Sequence, residues 1–276
     1  MAEHIGGETE IAVLSPHLDD AVLSCWHLLE SDADLTIVNV FTGSPPPGTP
    51  APWWDRLTGA ADPVERMRER RDEDRRALAL AGRSAVAIDL LEAQYRRETL
   101  PLATIVERLR AAVPPAALVY APAAMMRHPD HELVRSAALE LGRTGTRLAL
   151  YADLPHAIEH GWPEWVTGDP DSRRGVAVDT AWAEVLAGAG LSVERLVPRV
   201  RPLDAAARQR KLRAIAAYET QRAALDVLSF VPLGDPRALA WEVSWLVPRS
   251  AFGRPAEPGG EPLVADCADE PIDDRA

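Results

Sequence analysis

The run Ile11-Ala12-Val13-Leu14-Ser15-Pro16-His17-Leu18-Asp19-Asp20 passes directly from uninterrupted apolar side chains to a histidine and two carboxylates. An apolar run of this kind reads as a buried strand. Three costly polar groups at its end must find hydrogen bonds or a cation. A second stretch has the same construction, with the apolar run 117–121 leading to Arg127-His128-Pro129-Asp130-His131. Taken singly, either cluster also reads as a helix N-cap, because Asp and Ser cap well and Pro suits the first helical turn.

Chain order turns the coincidence into a candidate site. Strand-like runs at 11–14, 35–41, 85–90, 117–121 and 147–152 alternate with helix-like patterns at 20–30, 63–81, 102–112 and 130–141. That alternation predicts an α/β, Rossmann-like single domain, with a mostly parallel sheet and helices on both faces. In an open doubly wound sheet of order 3-2-1-4-5, the first and fourth strands are neighbours at the switch point, and ligands bind beyond their carboxyl ends. The two clusters are then expected face to face. Beyond Asp153 the pattern loosens, with strands expected at 175–178 and 191–197 and one long helix at 204–225. The domain is expected to span 1–253, and the Pro-Gly-acidic remainder, 254–276, to be a disordered tail.

Composition narrows the function classes. The 276 residues are 47% hydrophobic and carry a formal net charge of −12 with a pI near 5.1, which excludes a general attraction to nucleic acid or anionic membrane. Only Cys25 and Cys267 are present, so neither a disulfide framework nor a Cys-built zinc site is available, and a reducing cytoplasm fits. The N-terminal residues lack the pattern of a secretory signal, and no apolar stretch is long enough to suggest a membrane span. Six arginines between Arg66 and Arg76 alternate with Glu65, Glu69, Asp72, Glu73 and Asp74, the pattern of a helix with an ion-paired, solvated face. The loop 42–62 is long and carries Trp53 and Trp54, which can either pack on the body or close over a ligand.

Imidazole and carboxylate together suit a borderline divalent metal, and three protein ligands with an open position are what a hydrolytic centre needs. His17, Asp20 and His131 supply such a trio. Asp19 is left beside the metal to take a proton from water, and His128, three residues before His131, is placed to serve the oxyanion or the leaving amine.

Pro16-His17-Leu18-Asp19-Asp20 and His128-Pro129-Asp130-His131 resemble the two signature motifs of the PIG-L/LmbE-like family of metal-dependent N-acetylglucosamine deacetylases. The variant from Ser15 to Ser24 is similar to the branch that includes the glycopeptide-antibiotic deacetylases. Weaker matches are Val40-Phe41-Thr42-Gly43, Arg70-x-x-Glu73-x-x-x-Ala77, and Lys211 through Tyr218-Glu219-Thr220-Gln221. The resemblance implies a Rossmann-like fold that uses zinc, or another divalent metal, to hydrolyse an N-acetyl group from a small-molecule amino sugar or its conjugate. It implies His17, Asp20 and His131 as metal ligands, Asp19 as general base, His128 with Asp130 as its partner at the transition state, and Arg70 as a contact to substrate hydroxyls. The chain departs from the family at Ala21, where many members carry Glu, and at Met126, where some carry Tyr.

Among the other histidines, His4 and His27 read as surface or partly buried side chains, and His156 and His160 lie on the carboxyl edge, where His156 is a candidate substrate contact. A non-haem iron oxygenase is a rival, because His17-x-Asp19 with His131 also spells a facial triad. Such triads sit on all-β double-sheet barrels, which the alternating pattern opposes. A binding protein that kept the fold and lost catalysis is the other rival, opposed by the complete set of polar residues. No Gly-x-Gly-x-x-Gly follows the first strand, which argues against a dinucleotide enzyme. Oligomeric state is not readable.

Overall fold

The computed structural model describes residues 10–125, 128–159, 161–168, 178–228, 232, 233, 235 and 237–252. His4, Met126, Arg127, His160, Cys267, the tail at 254–276 and positions 175–177 of one expected strand lie outside the described residues. The strands are β1 (Ile11–Ser15), β2 (Leu35–Asn39), β3 (Ala85–Ala87), β4 (Leu118–Pro122), β5 (Arg147–Tyr151), β6 (Val197–Pro202) and β7 (Trp241–Val247). The helices are α1 (Asp20–Ser24), α2 (Trp26–Leu29), α3 (Trp53–Leu57), α4 (Pro63–Ala79), α5 (Leu102–Ala112), α6 (Pro129–Arg143), α7 (Glu164–Thr167), α8 (Val178–Gly188), α9 (Ala205–Ile215) and α10 (Glu219–Leu228).

The strands form one sheet of order β3-β2-β1-β4-β5-β7-β6, parallel from β3 to β5 and antiparallel at β5–β7 and β7–β6. The expected 3-2-1-4-5 order is present. Apolar residues of β1, and of β4 beyond the partly buried Leu118, are buried on both faces, as a central parallel strand requires. Helix α6 packs against β4, β5 and α5, while α1, α4, α9 and α10 form a second group. The all-β barrel of the iron-oxygenase rival is thereby excluded. No helix among the described residues is long and apolar enough to cross a membrane.

Gly43, next to the end of β2, is required by a close approach. A Cβ there would lie 2.8 Å from the Asp89 carbonyl oxygen and 3.0 Å from that of Leu90, closer than backbone tolerates.

Beyond β5 several expectations are corrected. Val178 begins helix α8 rather than ending a strand, and the strand expected at 191–197 instead begins at Val197, after a 3₁₀ turn at Val193–Arg195. That strand, β6, is an exposed sheet edge, where Pro198 and Pro202 are tolerated because an edge needs only one side of its backbone paired. Its partner β7 was not expected, although Val243, Trp245 and Val247 alternate with Glu242, Ser244 and Leu246 at the period of a strand.

Two expected continuous helices are broken, each at a point where a distant carboxylate supplies a new N-terminal cap. The 20–30 pattern splits at Cys25, where Glu242 on β7 accepts the backbone N–H groups of Trp26 (2.8 Å) and His27 (2.9 Å). The 204–225 pattern splits after Ile215, and Glu73 on α4 accepts the N–H (2.8 Å) and hydroxyl (2.7 Å) of Thr220 at the start of α10. Helix α4 is itself less solvated than expected. Arg75 pairs with Asp72 on its surface, while Arg66, Arg70, Glu73 and Asp74 are buried.

Glu242 also binds the fully buried Lys211 Nζ at 2.6 Å and the His27 Nδ1 at 2.6 Å. Burial alone would raise this carboxyl, but Lys211 and His27 hold it down at about 2. That value lies below an unfolded glutamate's of about 4.3, so the stabilisation is complete above that pH and is lost as pH falls through 2. Lys211→Met should cost about 3–5 kcal/mol at neutral pH by leaving a buried carboxylate uncompensated. Urea unfolding measures this, and the deficit should shrink as the pH falls below about 4.

Candidate metal centre

The site lies beyond the carboxyl ends of β1 and β4, with a further contribution from the end of β5. His17 Nδ1, Asp20 Oδ2 and His131 Nε2 form a triangle with edges of 3.3, 3.4 and 3.6 Å. Three ligands about 2.1 Å from one tetrahedral ion stand about 3.4 Å apart, so these spacings suit a single divalent metal.

The direction of the lone pairs follows from what stands behind each ring. His17 donates its Nε2–H to Asp130 Oδ2 at 3.1 Å, and His131 donates its Nδ1–H to Asp153 Oδ2 at 2.9 Å. In the neutral rings the proton is then at the rear, leaving both front nitrogens as acceptors beside a carboxylate oxygen. Three acceptors converging on one point repel one another unless a cation or protons lie between them. Protein electrostatics agree. Burial would lower His17, but the Asp130 hydrogen bond and the charges of Glu92, Asp20 and Asp130 raise it to about 9. His131, against the same burial, is raised by Asp20 and Asp153. His128 lies close as well, with donor atoms of His17, His128 and His131 all within 4.8 Å of one another.

Asp19 is 9% exposed and lines the cavity. It is the N-cap of α1, yet its side chain makes no capping hydrogen bond, and no partner of its carboxylate is found among the described residues. The cap role expected of the carboxylates belongs instead to His128, whose Nδ1 accepts the Asp130 N–H at 3.3 Å at the start of α6. This arrangement leaves His128 Nε2–H as its donor. Burial and the neighbouring His17 and His131 lower the His128 pKa to about 3.

Asp130 therefore does not serve His128 as its acidic partner. Its carboxylate binds His17, the Ala93 N–H at 2.9 Å and Arg96 at 2.6 Å. These partners outweigh burial and hold it well below the ordinary carboxylate range.

Arg70 is a cavity residue but is committed to Glu92, with Nη1 to Oε1 at 2.5 Å. Its Nε and Gln94 Oε1 have no hydrogen-bond partner among the described residues. His156 reaches the cavity, with its ring centroid 5.7 Å from that of His131, and burial together with the His131 charge lowers its pKa to about 4. The cavity has a volume of ≈ 340 Å³. It is lined by the polar residues above and by the apolar Leu23, Trp53, Trp54, Leu154, Pro155 and Leu225. Trp54 donates to Gln221 Oε1 at 2.8 Å and so packs on the body, while Trp53 is 58% exposed in the same lining. Asp153, Glu92 and Gln94 were not anticipated. Asp153 carried a usable signal, being the first carboxylate after the fifth strand.

The family model for GlcNAc-PI de-N-acetylases, PIG-L, matches residues 12–141, the part that carries both motifs. No protein of curated function matches the chain in sequence. Among solved structures, the A40926 pseudoaglycone deacetylase Dbv21 is 30% identical, with 90% of this chain and 100% of that chain covered and a TM-score of 0.64. A triple mutant of the deacetylase Orf2, involved in the teicoplanin biosynthetic pathway, is 26% identical over 87% of this chain and 98% of that one, also with a TM-score of 0.64. A zinc-inhibited form of teicoplanin deacetylase Orf2 has the same fold at 24% identity, with 87% and 98% covered and a TM-score of 0.63. Full coverage of a relative 30% identical, added to the match of the family's own model, makes this chain a member of the PIG-L family.

Proposed function

We propose that this protein hydrolyses an N-acetyl group from an amino sugar or a glycoside bearing one, releasing acetate and the free amine. The observation that carries the reading is the convergence of His17 Nδ1, Asp20 Oδ2 and His131 Nε2 on one point in the lining of a cavity. Those three residues would hold the divalent metal, with zinc the first choice for an imidazole and carboxylate donor set. When bound, the cation supplies a Lewis acid that polarises the acetyl carbonyl and makes water a stronger acid.

The remaining chemistry belongs to the chain. Asp19, unburdened by capping, takes the proton of the attacking water. His128 donates its Nε2–H to the oxyanion that develops on the acetyl oxygen. A histidine held neutral has no spare proton for the leaving nitrogen, so the carboxylic acid formed on Asp19 returns its proton there. Gln94 Oε1 and Arg70 Nε are polar atoms in need of partners, and with His156 they are suited to the hydroxyl and amide groups of a sugar. Trp53 offers an apolar face to whatever the sugar is attached to. The relatives named for A40926 pseudoaglycone and teicoplanin support a glycosylated natural product as substrate. The buried, free Cys25 is consistent with work in a reducing cytoplasm.

His131→Ala should abolish tight metal binding, read as metal content after dialysis. Normal stoichiometry in that variant would overturn the ligand set. Asp19→Asn should keep the metal and lose about a hundredfold or more in acetate release. If Asp19→Asn loses the metal and Asp20→Asn retains it, the two carboxylates exchange roles. His128→Gln should lower kcat about ten- to hundredfold without changing the shape of the pH profile, because a histidine titrating at about 3 stays neutral throughout the working range. Loss of a descending limb in that variant would show that His128 acts as a cation.

A further inference from the structure

Asp19 is held in place by its backbone. The Asp19 carbonyl accepts the Leu23 N–H at 2.9 Å, and the preceding carbonyl, of Leu18, lies 3.1 Å from the Tyr218 hydroxyl. Together these contacts hold the peptide units on either side of a residue whose carboxylate has no partner among the described residues. Tyr218 is 2% exposed and sits at the break between α9 and α10. Its hydroxyl is also 3.1 Å from Asp74 Oδ1, and Asp74 Oδ2 accepts the Asn39 Nδ2–H at 2.7 Å.

A count of protons shows a conflict. Tyr218 has one hydroxyl hydrogen and faces two acceptors, the Leu18 carbonyl and the Asp74 carboxylate. With Asp74 ionised, the charged oxygen competes for that hydrogen and weakens the hold on Leu18. With Asp74 protonated, its O–H donates to Tyr218 Oη and the tyrosine donates to Leu18, so every contact has its hydrogen. We propose that Tyr218 and protonated Asp74 form a positioning relay that holds the Leu18 carbonyl and thereby aims Asp19 at the attacking water. This rests on the reading of Asp19 as the general base.

The surroundings of Asp74 favour the protonated form. Burial raises its carboxyl to about 7 against the hydrogen bonds of Tyr218 and Asn39, with Asp19 at the start of α1 pushing further up and Arg75 on its own helix pulling down. No metal ligand proposed above touches Asp74. The relay is therefore complete below about neutral pH and weakens above it.

Tyr218→Phe removes only the hydroxyl and tests the relay directly. It should lower kcat about ten- to hundredfold, as misaimed catalytic groups do, with KM changed less than about twofold and metal content unchanged. A wild-type kcat in that variant overturns the proposal. Asp74→Asn provides a second test that does not depend on removing the hydroxyl, since an amide NH₂ can donate to Tyr218 at every pH. Its ratio of kcat at about pH 8.5 to kcat at about pH 6.5 should exceed that of the wild type, and an unchanged ratio overturns the relay. Asp19→Asn separates the two levels of argument. Full activity there defeats the general-base reading itself. A dead Asp19→Asn beside an unimpaired Tyr218→Phe defeats the relay alone.

Discussion

Two carboxylates standing behind two histidines determine what this site can bind. Asp130 and Asp153 take the rear protons of His17 and His131, and that choice turns both front nitrogens into lone pairs aimed at Asp20. Reversing either tautomer would place a hydrogen in the middle of the triangle and remove an acceptor from it. The sheet makes the arrangement possible, since β1, β4 and β5 are consecutive neighbours and each delivers its contribution just beyond its carboxyl end. Asp130 is in turn secured by Arg96 and the Ala93 N–H from the segment after β3, and Asp153 by the Met125 N–H. The triangle of donor atoms is therefore a property of four strand ends acting together.

The same device, a buried carboxylate taking N–H groups from elsewhere in the chain, shapes the remainder of the molecule. Glu242 starts α2 and Glu73 starts α10, and each ties together elements far apart in sequence. Asp55, next to Trp54 on α3, plays a similar part by accepting the Tyr95 hydroxyl. An acidic protein of this kind uses part of its negative charge internally, as acceptors for backbone and side-chain donors that would otherwise be buried without partners.

What could be read from the sequence was local. The runs ending at Ser15-Pro16-His17 and at Ala121 announce strands through composition alone, and the switch-point rule then brings their polar ends together without any knowledge of side-chain contacts. Helix α5 was legible to its last residue because Ile105 and Leu109 recur at helical spacing against the core. The helix breaks at Cys25 and after Ile215 were hidden, because helical periodicity continues through both and the carboxylates that end it arrive from 147 to 216 positions away. The partner of Asp130 was misread for the same reason. The resemblance pairs it with His128, while the helix turns the carboxylate toward His17, 113 positions away. Strand β7 was missed although its alternation was visible, since buried Glu242 and Ser244 give one face of it the look of a surface.

The outer edge of the sheet has a consequence for the crowded cell. Every residue of β6 is exposed, and an unpaired strand edge invites neighbouring molecules to add strands of their own. In Val197-Pro198-Arg199-Val200-Arg201-Pro202, two residues have no N–H to offer and two others carry positive charge. A second copy approaching that edge would meet gaps in the hydrogen-bonding ladder and repulsion between like arginines. The sheet can thus end in open solvent without becoming a template for fibres.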